Sequence, residues 1–280
     1  MTGTPDLLLG LIGDNIAASR APLLHRLAGA QSGLAVRYDR LVPREMGMDF
    51  ESVFARCRDG GYRGINVTYP YKERVTALVG VSDPLVRAMG AVNTVIFGEG
   101  KPRGFNTDHS GFIAAWRAAR GTACPGAVSL IGAGGVGRAV AFGLVALGAS
   151  EIRIFDREEG RSAGLARDLR AVAGPVRILQ APSAEAAASG ATGLVNCTPV
   201  GMTGHEGSPL RPEAMAGAAW AFDAVYTPAE TRFLAATAAA GAAVISGWEL
   251  FFWQGVHAWA HFSGAPLDEA RLRAKLLAAS

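Results

Sequence analysis

The stretch from Val128 to Asp156 constrains the chain more than any other, because it reads strand, glycine loop, helix, strand, acid in that order. Val128-Ser129-Leu130-Ile131 is a short apolar run, Gly132-Ala133-Gly134-Gly135-Val136-Gly137 follows it, and Arg138 to Leu147 is helix-compatible. A second run, Glu151 to Phe155, ends at Asp156, about twenty residues beyond the glycines, which is the spacing of a dinucleotide-binding unit. Gly132 permits a tight turn, Gly134 lets the backbone approach a pyrophosphate, and Gly137 lets the helix pack on the strand. The unpaired amides at the helix start then face the anion. A merely tight turn between strand and helix would not need the flanking acid. An S-adenosylmethionine site uses a similar loop and acid, so this stretch alone leaves that alternative open.

Asp156 bears on which dinucleotide is bound. A carboxylate at the end of the second strand accepts bonds from the adenosine ribose hydroxyls and repels a 2′-phosphate, which favours NAD over NADP. Arg157 is the counterweight, since a guanidinium beside the ribose can clamp a phosphate. Glu158 and Glu159 follow at once and make the surroundings acidic.

With 280 residues, 50% apolar and 18% charged, the chain is long enough for two ordinary domains with real cores. Cys57, Cys124 and Cys197 are scattered with no CxxC spacing, which argues against a disulfide framework or zinc site and suits a reducing cytoplasm. The apolar run Leu7 to Ile12 reads as a buried strand, with no basic leader, no cleavage pattern and nothing of membrane-spanning length. The net charge of +3 is spread over isolated arginines, so neither nucleic acid nor membrane is expected as a partner.

Leu7 to Gly13 is the first expected strand, followed by a polar loop, Asp14 to Arg20, and a helix that Pro22 can start. Ser19 stands at that junction, where a helix N-cap is its plainest role, and His25 on the helix reads as a packed residue. Tyr38 to Leu41 and Gly64 to Val67 are further strands, separated by a helical stretch from Met48 to Arg58 that stops at Gly60-Gly61. This alternation predicts a small α/β domain. Asn66, Thr68 and Lys72 then supply polar side chains at the carboxyl end of a strand, where open α/β sheets bind ligands. Gly90-Ala91-Val92-Asn93-Thr94-Val95 and Gly104-Phe105-Asn106-Thr107-Asp108 bring more. Alone, Asn93 could bridge a turn and Asp108 could cap a helix starting near Ser110. Together with Lys72 they form a constellation able to bind a polyol and pass a proton. Ala181 to Thr192 reads as an alanine-rich surface helix and loop. Gly247 to Phe262 reads as an apolar, aromatic helix with Gln254 in its middle, and Leu267 to Ala279 as a closing amphipathic helix. His257 and His261 lack a third ligand, so no metal site is expected.

These motifs, in this order, resemble the shikimate dehydrogenase family, in which Asn-Val-Thr-x-Pro-x-Lys, Gly-Ala-Val-Asn-Thr and Asn-Thr-Asp precede the glycine loop. The resemblance continues through Asn196-Cys197-Thr198-Pro199-Val200-Gly201-Met202, Asp223-Ala224-Val225-Tyr226-x-Pro228 and Gln254, and covers nearly the whole chain. It implies an α/β enzyme with a substrate-binding catalytic domain over 1–109, a Rossmann-type domain over 110–245, and C-terminal helices over 246–280 that return to the first domain. The active site would lie in the interdomain cleft. Lys72 and Asp108 would be the catalytic pair. Ser19, Asn66, Thr68, Asn93, Tyr226 and Gln254 would bind a small cyclic hydroxy acid. The loop Gly132 to Gly137, with Asp156, Arg157, Thr198, Met202 and Gly247, would bind NAD, or less readily NADP. Hydride transfer at the C3 alcohol or ketone of shikimate or quinate is the expected reaction, and a monomer or homodimer in the cytoplasm the expected form.

One departure stands out. Shikimate-type members carry His-Ser-x-Ser-Pro in the first loop, whereas this chain has Ala18-Ser19-Arg20-Ala21-Pro22. Ser19 is kept and the second hydroxyl is lost. A hydrogen bond to a charged group contributes roughly 1.5 to 3 kcal/mol, so the carboxylate site is weakened unless Arg20 or a water replaces it. Ser-Arg ahead of proline, together with Asp156, is similar to the NAD-preferring quinate/shikimate branch. Alternatives are an NADP-dependent enzyme for shikimate or an aminoshikimate-like analogue, and a non-catalytic ligand-binding regulator. Intact Lys72, Asp108 and glycine loop speak against the regulator, and a methyltransferase would have no use for the Lys/Asp pair.

Overall fold

The computed structural model describes residues 4–279. Residues 1–3 and 280, at the outer ends of the expected first and last segments, lie outside the described residues. The chain divides into two compact units, one formed by the residues up to Thr107 together with those from Gln254 onward, the other by Asp108–Trp253.

In the first unit, β1 (Leu7–Ile12), β2 (Val36–Leu41) and β3 (Gly64–Val67) are parallel, while β4 (Thr94–Ile96) and β5 (Arg103–Phe105) run antiparallel at one edge. The strand order is β2-β1-β3-β4-β5. The helices α1 (Ala21–Gln31), α2 (Phe50–Asp59) and α3 (Pro84–Met89) connect these strands. Proline in the first turn starts α1 and α3, and the Asp49 carboxylate caps α2 by accepting from the Ser52 amide. β3 is buried along its whole length, as a strand covered on both faces must be. Phe50, Val53, Phe54, Ile65, Val67, Tyr71 and Val95 share one core. On the other side, His25 is fully buried among the rings of Tyr38, Trp259 and Phe262.

The second unit is built on an all-parallel sheet of order β11-β10-β9-β6-β7-β8. Its parts in chain order are α4 (Thr107–Arg120), β6 (Ala127–Ile131), α5 (Gly135–Ala146), β7 (Glu151–Phe155), α6 (Glu159–Arg170), β8 (Arg177–Gln180), α7 (Ala184–Ala188), β9 (Gly193–Asn196), β10 (Trp220–Asp223), α8 (Arg232–Ala239) and β11 (Ala243–Ile245). This is the doubly wound Rossmann arrangement, in which the first strand lies at the centre and winding proceeds outward in both directions. Trp116 and Trp220 meet edge to face at 4.7 Å in its core. Both are fully buried and both indole N–H groups are satisfied, by the Ala123 and Pro125 carbonyls. The C-terminal helices are α9 (Gly247–Ser263) and α10 (Glu269–Ala278), the latter capped by Asp268, which accepts from the Arg271 amide. No helix among the described residues is long and apolar enough to cross a membrane.

The expected alanine-rich surface helix is α7, which buries Ala184, Ala187 and Ala188 on its inner face and leaves Ala186 exposed. Alanine there supplies a short side chain that lets α7 lie close on the sheet. The helix expected near Ser110 starts at Thr107, which places Asp108 in its first turn, where the helix dipole favours a negative charge.

Candidate functional site

Each sheet has a point where its winding reverses, and the carboxyl ends of the strands there are where open α/β sheets bind ligands. In the first unit this point lies between β1 and β3. Loop 13–20 leaves β1 and residues 68–72 leave β3, so the chain delivers Ser19 and the Thr68 to Lys72 stretch to one edge. Arg20, rather than Ser19, is the N-cap residue of α1, with no side-chain capping bond. The Ser19 hydroxyl oxygen accepts from the Ala21 amide at 3.3 Å, leaving its proton to donate outward. Arg40 at the end of β2 holds the same loop by donating to the Ser19 carbonyl at 2.5 Å.

Past β3, the Thr68 amide donates to the Ile12 carbonyl at 2.9 Å and the Tyr71 amide to the Thr68 carbonyl at 2.9 Å. The Tyr69–Pro70 peptide is cis. Lys72 is half-buried, and its carbonyl accepts from the Val92 amide at 2.8 Å. Tyr71 stacks on Phe50 and donates to Asp14 at 2.7 Å, and burial with that acid pushes its hydroxyl up to about 12.

Asn66 and Asn93 behave differently although both are buried. The Asn66 amide nitrogen donates to the Asn93 carbonyl and the Thr94 hydroxyl at 3.3 and 3.0 Å, and its oxygen accepts from the Tyr38 hydroxyl at 2.8 Å. Its donors are spent inside the unit. Asn93 has its oxygen fixed by the Thr107 amide at 2.7 Å and by the Thr107 and Thr94 hydroxyls at 3.1 and 3.2 Å. Its amide nitrogen has no acceptor among the described residues, so two N–H donors are aimed outward from a fixed side chain. Asp108, also buried, follows directly in the first turn of α4. Gln254 lies half-buried within α9.

His25, beside Tyr38 and Asn66, has no hydrogen-bond partner for either ring nitrogen among the described residues. Full burial lowers it to about 3, the neighbouring Asn66 offsetting only part of that, so the ring is neutral.

In the second unit the reversal lies between β6 and β9, and both carry loops singled out by sequence. Gly132 adopts φ +98, which glycine alone tolerates readily, and a Cβ there would meet the Cys197 backbone at 2.7 Å. Gly137 lies so close to Gly132 that its Cβ would stand 2.0 Å from the Gly132 carbonyl oxygen. Above Gly134 the space is open, with only a guanidinium nitrogen of Arg161, 3.8 Å from the position of a Cβ. Gly134 is the N-cap of α5 and offers no side chain to its first-turn amides. An open recess, uncapped amides and a nearby guanidinium fit a bound pyrophosphate. Asp156 closes the loop, its carboxylate accepting from the Ala133 amide at 2.7 Å and from the Glu158 amide at 2.9 Å. A carboxylate accepts about four bonds, so capacity for ribose hydroxyls remains. Arg157 is exposed, and Arg161 donates to Glu158 at 2.8 Å.

Thr198 and Met202 follow β9. The Thr198 hydroxyl donates to the Asn196 side-chain oxygen at 2.7 Å and accepts from the Val200 amide at 3.2 Å, so it shapes the loop carrying Met202. Tyr226 stacks on Phe251 at 4.9 Å, and Gly247 at the start of α9 is pressed against the Ala224 and Val225 carbonyls.

Sequence reasoning missed what holds these loops. Asn196 and Asp223 end adjacent strands in register, and the Asn196 amide donates to Asp223 at 2.9 Å. Asp223 also accepts from the Val225 amide at 3.0 Å and the Thr231 hydroxyl at 2.6 Å. Burial nevertheless raises its carboxyl to about 6. Only the pairing of β9 with β10 reveals this link, because 26 residues of sequence separate the two side chains. Among the described residues no group of three or more His, Cys, Asp or Glu lies together as a metal site.

Known proteins resemble the chain along its length. Residues 11–95 match the family described as the shikimate dehydrogenase substrate binding domain. The quinate/shikimate dehydrogenase (NAD(+)) of Corynebacterium efficiens is 35% identical over 277 residues, covering 97% of this chain and 98% of that protein. The shikimate dehydrogenase (NADP(+)) of Rubrobacter xylanophilus is 39% identical over 96% of this chain and 95% of its own length. Among solved structures, quinate dehydrogenase from Corynebacterium glutamicum in complex with NAD has a TM-score of 0.88 at 34% identity, covering 97% of this chain and 99% of that one.

Proposed function

Because the chain belongs to the shikimate dehydrogenase family, we propose that it interconverts the C3 alcohol and ketone of shikimate or quinate, with NAD as the preferred carrier of hydride. It is an oxidoreductase of the shikimate/quinate dehydrogenase type that uses a nicotinamide dinucleotide. In this reading the first unit binds the cyclic hydroxy acid and the second binds the dinucleotide. The observation that carries the substrate side is Asn93, whose amide is locked at its oxygen and offers its donors outward. A polyol needs such directional donors.

The dinucleotide supplies or accepts the hydride when bound. Gly134 to Gly137 would hold its pyrophosphate, Asp156 the ribose hydroxyls, and Thr198, Met202 and Gly247 the rest of it, with Tyr226 serving the hydroxy acid. Charge develops on the substrate oxygen as hydride moves, so the Lys72 ammonium stabilises that oxygen and passes a proton to or from it. Asp108 accepts from a substrate hydroxyl. Ser19, Thr68, Asn93 and Gln254 fix the remaining polar groups, while Asn66, its own amide spent internally, serves chiefly to hold the Asn93 peptide. NAD preference rests on Asp156, which repels a 2′-phosphate. The exposed Arg157 favours NADP as the second reading, since a free guanidinium can take that phosphate.

The test is Lys72→Ala. Removing the acid–base group should lower kcat about 10²- to 10⁴-fold, while NAD affinity, read by quenching of protein fluorescence, stays within about two-fold of wild type. Wild-type turnover in this variant would remove Lys72 from the reaction.

A further inference from the structure

A cavity of about 430 Å³ within the first unit is lined by Ala18, Ser19, Arg20, Arg26, Tyr38, Asp39 and Arg40, among others. That is the size of a small-molecule site and far more than a single carboxylate fills. Its charge is unbalanced, since its lining residues carry three guanidinium groups and one carboxylate. That carboxylate is already engaged, since Asp39 accepts from Arg37 at 3.0 Å and from the Tyr62 hydroxyl at 2.7 Å. Arg40 and Arg20 are anchored through backbone carbonyls, of Ser19 at 2.5 Å and of Leu276 at 2.6 Å. Each such anchor fixes the direction of its planar guanidinium group. Arg26 is exposed and has no partner among the described residues.

We propose that this cavity is an anion subsite, built to take a phosphate- or carboxylate-bearing group of a small molecule on Arg20, Arg26 and Arg40. Fixed guanidinium forks match the oxygens of such groups and bind them through charge-assisted bonds. Ser19 lines both this cavity and the edge that receives Thr68 and Lys72. The guanidinium groups therefore offer the anionic end of a substrate what Ala21 lacks, and the volume admits a substituent larger than the carboxylate. The subsite stands without the proposed dehydrogenase activity; only the assignment of its anion to the substrate rests on that reading.

Calorimetric titration of the full chain with inorganic phosphate at fixed ionic strength, against chloride, tests it. Saturable binding is expected, about ten-fold weaker in Arg26→Ala and again in Arg40→Ala. Arg26 is exposed, so its variant keeps the fold, which circular dichroism checks. Repeating the titration with saturating shikimate or quinate separates the sources. Displacement of phosphate assigns the subsite to the substrate's own anionic group, and simultaneous binding assigns it to a separate small anion. No saturable phosphate binding, or equal affinity in wild type and Arg26→Ala, would overturn the proposal. Because phosphate binding is read without turnover, an inactive protein that binds phosphate would count against the dehydrogenase reading alone.

Discussion

The two units solve the same problem in opposite ways. The second offers its candidate ligand mostly backbone, the amides and bare Cα positions of one contiguous loop, closed by Asp156. The first offers side chains drawn from separate places: Ser19 after β1, Thr68 and Lys72 after β3, and Asn93 before β4. A pyrophosphate is a symmetric, diffuse anion that a glycine loop recognises without side chains. A cyclic polyol has hydroxyls in fixed directions and needs individually aimed donors and acceptors. The backbone site tolerates no added atom where it is tight. The side-chain site should tolerate change in volume but not in hydrogen-bonding direction.

The largest expected effect lies in the loop. Gly137→Ala puts a methyl 2.0 Å from the Gly132 carbonyl oxygen, and relieving that overlap should cost more than about 3 kcal/mol and abolish NAD binding. Gly134→Ala meets nothing closer than 3.8 Å, so its melting temperature should hold while NAD affinity falls. Calorimetric melting with NAD titration reads both. Equal NAD affinity in Gly137→Ala and wild type would break the contrast.

A second effect, graded with pH and of opposite sign in the two units, comes from their buried titratable groups. His25 is lowered from 6.5 to about 3, so the unfolded chain takes up its proton first as pH falls. Its contribution is fully present above about pH 6.5 and is lost progressively toward pH 3, on the order of 5 kcal/mol in all. Asp223 is raised from 3.8 to about 6. Its contribution is present below pH 3.8 and lost as pH rises through about 6, on the order of 3 kcal/mol. Residue-resolved amide exchange between pH 4 and 7 should therefore show the first unit loosening with acid while Asp223 works against that trend in the second. In Asp223→Asn the opposing term should vanish. Parallel loosening of both units, unchanged by that substitution, would contradict the assignment.

The same contrast explains what was legible in the sequence. The second unit's site is local: strand, loop, helix and acid occur within thirty residues, and β6, β7 and the Gly132 turn lie where the spacing put them. α5 starts at Gly135 rather than Arg138 because the glycines, poor helix formers, are held in the first turn by close packing. In the first unit Lys72, Asn93 and Asp108 read as one set because each ends an apolar segment, but Ser19 joins them only through resemblance, since nothing in its spacing brings it to the same edge. Strand order does that. Roles of neighbouring polar residues were less legible still. Asn66 and Asn93 look alike in sequence, yet Asn66 spends its donors internally while Asn93 points them out, a difference set by Tyr38 and Thr107 from other elements. The link from Asn196 to Asp223 and the burial of the alanines around α7 likewise depend on which strands pair.

The most direct test of the central claim is turnover by the purified protein with shikimate or quinate crossed against NAD and NADP, in wild type and Asp156→Ala. Reduction of NAD by at least one of these hydroxy acids is expected, with an NAD-over-NADP preference of roughly ten-fold or more, about 1.4 kcal/mol or greater, that shrinks in Asp156→Ala. A wild-type protein that turns over neither acid with either dinucleotide, or that prefers NADP with Asp156 intact, would contradict it.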